Sequence, residues 1–160
     1  DVRNLARFEC HQPRYNLLDR QIERELLPLC ADQQIGVIPY NPLAGGFLTG
    51  KYRRDQPPPE DTRFARRKEM YMPRYWNDVN FDAVERFARV AQEHGKTPAQ
   101  LAIAWLIHNP VITAPIVGAS KVSQIQETLK AADMPLSEEE IEACNQVQGF
   151  SPPDPRAVRP

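Results

Sequence analysis

Two short stretches of this sequence carry residue types suited to an anionic, ring-bearing ligand. In the first, Tyr40-Asn41-Pro42-Leu43-Ala44-Gly45-Gly46-Phe47-Leu48-Thr49-Gly50-Lys51-Tyr52, a tyrosine opens a small-residue loop that closes on a lysine. Glycines let a ligand lie against backbone, the ring offers a stacking face, and the ammonium answers negative charge. In the second, Ala114-Pro115-Ile116-Val117-Gly118-Ala119-Ser120-Lys121 opens into a helical pattern over residues 123–132. Loop amides at a helix N-terminus favour a phosphate dianion.

Both stretches need strands to aim them. Ile35-Gly36-Val37-Ile38-Pro39 reads as a buried parallel strand ahead of Tyr40, and residues 112–117 read as the last strand. Residues 7–12 form a third, feeding the Pro13-Arg14-Tyr15-Asn16 loop. Ile22, Leu26, Leu29 and Cys30 recur at helical spacing with Pro28 among them, which predicts a turn, a break, and a helix restarting with Pro in its first turn. Phe81, Val84, Phe87, Ala88 and Ala91 mark a helix stopped by Gly95. Thr97-Pro98-Ala99-Gln100 is a capping-box start, after which Leu101, Ala104, Trp105 and His108 line one helix face before Asn109-Pro110. Ser137 with Glu140 begins a last helix. Residues 53–78 read as the longest irregular segment, basic and broken by Pro57-Pro58-Pro59, and hence as a solvated surface excursion or a binding lid.

Two consecutive strand–loop–helix units with phosphate-type chemistry match the site made by the loops after the last two strands of a (β/α)8 barrel. Together with Gln12-Pro13-Arg14-Tyr15-Asn16-Leu17-Leu18-Asp19-Arg20, and with Gln124 and Glu127, the two motifs resemble the C-terminal half of an aldo-keto reductase. The branch is the one that includes bacterial reductases and voltage-gated potassium channel β subunits. The resemblance runs from about residue 7 to 149. It implies an α/β fold, the last three βα units of a (β/α)8 barrel; the prolines of residues 150–160 read as a mobile tail.

The resemblance also implies NADP(H) as cofactor and assigns the residues around it. Tyr40 would stack on the nicotinamide, and Gln12 would bind its carboxamide. Asn41, where the family usually has Ser, would add a polar contact. The backbone of Pro42, Leu43, Ala44 and Gly45 would pass along the pyrophosphate, with Lys51 and Arg63 reaching over it. Gly118, Ser120, Gln124, Glu127 and Thr128 would hold the adenosine half, Ser120 donating to the 2′-phosphate. Thr128 stands where the family often has Asn. For Tyr40 the alternative is a plain core tyrosine, for Gln12 an amide satisfying loop backbone, and Ser120 as a helix N-cap fits either reading.

The family reduces carbonyls by hydride transfer while a Tyr, assisted by Lys, Asp and His, donates the proton. Those four lie in the first half of the barrel, so the resemblance implies a cofactor-binding half without the catalytic set. The 160 residues begin at Asp1, reach their first Met at Met70, and fall short of the ~250 that a whole barrel takes, so a piece of a longer reductase is the expectation. The alternatives are an NADP(H)-responsive interaction module like a channel β subunit and a remnant that does not fold. A small-molecule carbonyl substrate is expected for the complete enzyme, and three strands with open edges would self-associate or pair with the other barrel half.

Composition excludes several other classes. A formal net charge of −1 gives no reason to expect nucleic acid. No apolar run approaches the ~20 residues of a membrane span, and no secretory pattern is present. Cys10, Cys30 and Cys144 fit no zinc spacing and read as reduced thiols of a cytoplasmic protein. His11 beside Cys10 points to the opposite strand face and makes no dyad. No P-loop, Rossmann or Gly-x-Ser-x-Gly fingerprint occurs.

Overall fold

The computed structural model describes residues 6–147, so the Pro-rich tail lies outside the described residues. Strand β1 (Cys10–His11) and strand β2 (Gly36–Val37) pair in parallel, with Cys10 opposite Gly36 and His11 opposite Val37. The pairing continues past the assigned strands. Ile38 N–H donates to His11 O at 2.9 Å, Tyr40 N–H donates to Pro13 O at 2.9 Å, and Arg14 bridges Tyr40.

The expected last strand is reduced to a single parallel bridge, Val37 to Ile112, with Thr113 N–H on Val37 O and Ile116 N–H on Pro39 O, both at 2.8 Å. Pro39 and Pro115 explain the shortening, since neither has an N–H to offer the ladder. Val37 N–H donates to the Thr113 hydroxyl instead. The first strand, Cys10–His11, is likewise shorter than residues 7–12, although Gly36 N–H donating to Glu9 O at 3.0 Å extends the pairing by one residue.

A 3-10 turn (Gln21–Glu23) precedes helix α1 (Leu26–Asp32), and Pro28 sits in its first turn, as the spacing predicts. After the Tyr40 loop come α2 (Arg63–Arg66), α3 (Lys68–Tyr75) and α4 (Asp78–Glu93). Next are α5 (Pro98–His108), α6 (Val122–Leu129), a 3-10 turn (Lys130–Asp133) and α7 (Glu138–Asn145). The predicted helix over 123–132 therefore starts one residue earlier and tightens into 3-10 geometry at its end. The capping boxes of α5 and α7 form as read, each Thr97 or Ser137 hydroxyl accepting from the backbone N–H three residues on.

Two expectations are corrected by packing. Helix α5 is buried from Ala99 through Leu106 on every side except Gln100, so it is a central helix rather than one with a single apolar face, and His108 is exposed. Residues 53–78 are an irregular, mostly exposed excursion only as far as residue 61. Thr62 caps α2, and the two short helices that follow turn Phe64, Tyr71 and Tyr75 inward. These rings join Phe47, Tyr52, Trp76 and Phe81 in one aromatic cluster, with centroids such as Tyr52–Phe64 at 4.6 Å and Phe47–Phe81 at 4.8 Å. Spacing could not reveal this, because the aromatics pack against the glycine loop rather than along one regular helix.

Cys30 and Cys144 are buried free thiols, and Cys10 is exposed. Burial pushes the Cys144 thiol up to about 12. Among the described residues no helix is long and apolar enough to cross a membrane, and no cluster of His, Cys, Asp or Glu could hold a metal.

Candidate functional site

The site lies where β2 and the segment from Ile112 deliver their following loops side by side. Tyr40 leaves β2 half-buried, with its N–H on Pro13 O and its carbonyl accepting from Tyr15 N–H at 3.4 Å. The register sets Arg14 level with Tyr40, so exposed Gln12 stands two residues earlier along the same strand direction.

The loop then turns through Asn41, Ala44, Gly45 and Gly46, all at positive φ. Asn41 uses its side chain within the protein: Oδ1 accepts from Gly45 N–H at 2.7 Å, and Nδ2 donates to the Tyr75 hydroxyl at 2.9 Å. The polar contact expected of it is thus made to the loop itself. Gly45 also has a structural cause. A Cβ there would stand 2.5 Å from the Tyr71 ring, so glycine is required by that ring whatever ligand lies above. Pro42 and Ala44 are buried, and Leu43 is half-buried against the core.

Lys51 lies over the Tyr52 ring at 5.2 Å, and Gly46 leaves room for its ammonium, which a Cβ would approach to 3.1 Å. Partial desolvation holds the Lys51 ammonium below its ordinary pKa. Asp61 opposes this shift, and the nearby Arg63 and Lys121 reinforce it. Arg63, from the N-terminal turn of α2, comes within 3.9 Å of the space a Gly118 side chain would fill. Lys121 pairs with Asp61 at 3.8 Å. Lys51, Arg63 and Lys121, from separate segments, thus lie near one another with Asp61 as the carboxylate among them, an excess of positive charge that suits a polyanion. Sequence reasoning singled out Lys51 and Arg63 but passed over Lys121 and Asp61. For Lys121 the available signal was its place directly after Ser120.

On the second loop Gln124 holds the turn closed. Its Oε1 accepts from Ser120 N–H at 2.9 Å, the Ser120 hydroxyl at 3.2 Å and Lys121 N–H at 3.3 Å. The N-cap of α6 is therefore Lys121, not Ser120. The amides suited to a phosphate are covered by a flexible side chain that rotation would withdraw. Glu127 is half-buried one turn on, and its carbonyl accepts from Gln100. Thr128 is buried, its hydroxyl donating back to the Gln124 and Ile125 carbonyls, which turns it away from the loop. The structure therefore groups Lys51, Arg63, Gly118 and Ser120, sets Tyr40 at the head of the first loop, and leaves Thr128 inside the helix.

Comparison with known proteins places the chain in a family. The model of the Aldo/keto reductase family matches residues 2–148. A probable voltage-gated potassium channel subunit beta of Arabidopsis thaliana is 42% identical over 77% of this chain and 38% of its own length. The L-glyceraldehyde 3-phosphate reductase of Escherichia coli O157:H7 is 34% identical over 85% of this chain and 40% of its own. The chain thus spans about two fifths of the length of these curated relatives. Among solved structures, the glycerol dehydrogenase of Gluconobacter oxydans superimposes with a TM-score of 0.72 at 27% identity, covering 91% of this chain and 43% of that one. The fold implied is the (β/α)8 barrel, to which the parallel strands and covering helices seen here conform. The chain belongs to the aldo/keto reductase family.

Proposed function

We propose that this chain forms the NADP(H)-binding C-terminal part of a carbonyl-reducing oxidoreductase and carries no proton donor of its own. The observation that carries the reading is the grouping of Lys51, Arg63 and Lys121 beside the Gly118–Ser120 turn, with Asp61 paired to Lys121 at 3.8 Å as the carboxylate among them. Such a cluster fits a pyrophosphate and a 2′-phosphate, the cations neutralising charge and the amides of Ser120 and Lys121 donating once Gln124 swings aside. Tyr40 would cover one nicotinamide face and Gln12 would meet the carboxamide. The bound cofactor would supply the hydride, while a tyrosine from the other barrel half would supply the proton. Phe8 and Ile116, beside the two outer strand edges, are exposed, so pairing with that half or self-association in the cytoplasm belongs to the same proposal.

Fluorescence titration with NADPH and NADH tests the reading. Tighter binding of NADPH is expected, and equal affinities overturn the 2′-phosphate assignment. Tyr40→Ala should weaken NADPH by roughly 1 kcal/mol through lost stacking, with Tyr40→Phe nearly neutral.

A second reading, an NADP(H)-responsive interaction module, is favoured by the relatives named as potassium channel subunits beta in Arabidopsis thaliana and Oryza sativa, 42% and 40% identical. Both readings leave the isolated chain unable to turn over simple aldehydes. Steady reduction of a nitrobenzaldehyde above about 1 s⁻¹, an ordinary enzyme rate, contradicts both.

A further inference from the structure

One buried hydroxyl outside the assigned site joins three segments distant in sequence. Tyr75, on α3, is fully buried, and its hydroxyl accepts from Asn41 Nδ2 at 2.9 Å and from Asn16 Nδ2 at 3.4 Å. Asn16, also fully buried, donates in addition to the Asn41 carbonyl at 3.1 Å, and its Oδ1 accepts from Leu18 N–H at 3.0 Å. Asn41 is the residue directly after Tyr40 and sits at φ 60, a left-handed conformation that favours a short amide side chain able to bond locally. Its Oδ1 is taken by Gly45 N–H, so the Tyr75 hydroxyl is the partner that fixes the other end of the amide.

We propose that Tyr75 is a positioning residue for the nicotinamide end of the site. Its hydroxyl clamps Asn41 between the loop after β1 and α3, and so sets the left-handed step that aims the Tyr40 ring. Helices α2 and α3 thereby act as a fixed wedge under the first loop. The contribution to cofactor binding rests on the NADP(H) reading above, whereas the clamp itself does not.

Tyr75→Phe keeps the ring packing against Phe64 and Tyr71 and removes only the acceptor. Tyr71→Phe, which removes from the same helix a hydroxyl that bonds to none of the described residues, is the control. Amide hydrogen exchange should quicken roughly two- to tenfold over residues 41–48 in Tyr75→Phe and stay unchanged there in Tyr71→Phe. Unchanged exchange in Tyr75→Phe, or equal quickening throughout the chain, overturns the clamp. NADPH titration then reads the positioning role. Tyr75→Phe should weaken binding two- to tenfold in the native background and add nothing to Tyr40→Ala, whereas equal losses in both backgrounds refute action through Tyr40. If exchange responds as stated but the unmutated chain takes up no NADPH, the cofactor reading and the positioning role both fall and the clamp stands.

Discussion

Gly45→Ala offers the sharpest test of how the first loop is built, because two separable penalties meet at that position. The residue has φ 69, a region where an L side chain costs about 1–2 kcal/mol. An added Cβ would also stand 2.5 and 2.6 Å from Tyr71 ring carbons and 3.2 Å from Phe64. Both rings are buried in the aromatic cluster and cannot swing into solvent, so overpacking adds about 1–3 kcal/mol. The total is roughly 2–5 kcal/mol. Gly50 isolates the first penalty, having φ 72 with nothing within 4 Å of its would-be Cβ. Gly50→Ala should therefore cost only about 1–2 kcal/mol. Equilibrium urea unfolding followed by circular dichroism reads the difference, and thermal melts should drop by about 2–4 °C per kcal/mol in a chain of this size. If Gly45→Ala costs no more than Gly50→Ala, the ring does not dictate that glycine and the loop is free to yield.

Glu140 is buried against Lys96 at the joint between α4 and α7, and its other oxygen accepts from Ser137 N–H at 2.8 Å. Burial alone would raise its pKa, but the Lys96 ammonium and the Ser137 amide hold it below the ordinary carboxylate value. Its contribution is thus complete above pH ~5 and is lost as pH falls through the depressed folded value. Lys96→Met should leave the carboxylate with only the Ser137 amide and His94 Nδ1 at 3.8 Å, cost up to roughly 3 kcal/mol near neutrality, and shrink the loss of stability as the pH falls below ~5; an unchanged acid limb would show that the pair is immaterial. Thr97→Ala removes the hydroxyl that caps α5, and a loss of about 1 kcal/mol in urea unfolding is expected, with no change arguing that core packing alone holds the helix start. Ser120→Ala should narrow the gap between NADPH and NADH affinity by roughly 1 kcal/mol in parallel titrations, whereas an equal loss for both cofactors would remove the hydroxyl from the 2′-phosphate.

Much of the local architecture was legible in the sequence because its causes are local. The capping boxes at Thr97 and Ser137, the interrupted helix around Pro28 and the stop at Gly95 each depend on residues within one turn of one another. The two loop motifs and the family they indicate were legible for the same reason: both are contiguous runs of residues. Tertiary structure decided the rest. Prolines shorten a ladder only where they face a partner strand, so the fate of residues 112–117 depended on Pro39 as well as Pro115. The aromatic content of residues 53–78 has no period, and only the glycine loop packed against it shows Phe64, Tyr71 and Tyr75 to be core. Asn41 and Thr128 carry side chains that a sequence offers equally to ligand or backbone. In the structure those groups bond to Tyr75, Gly45 and the α6 carbonyls, partners that only the fold brings within reach.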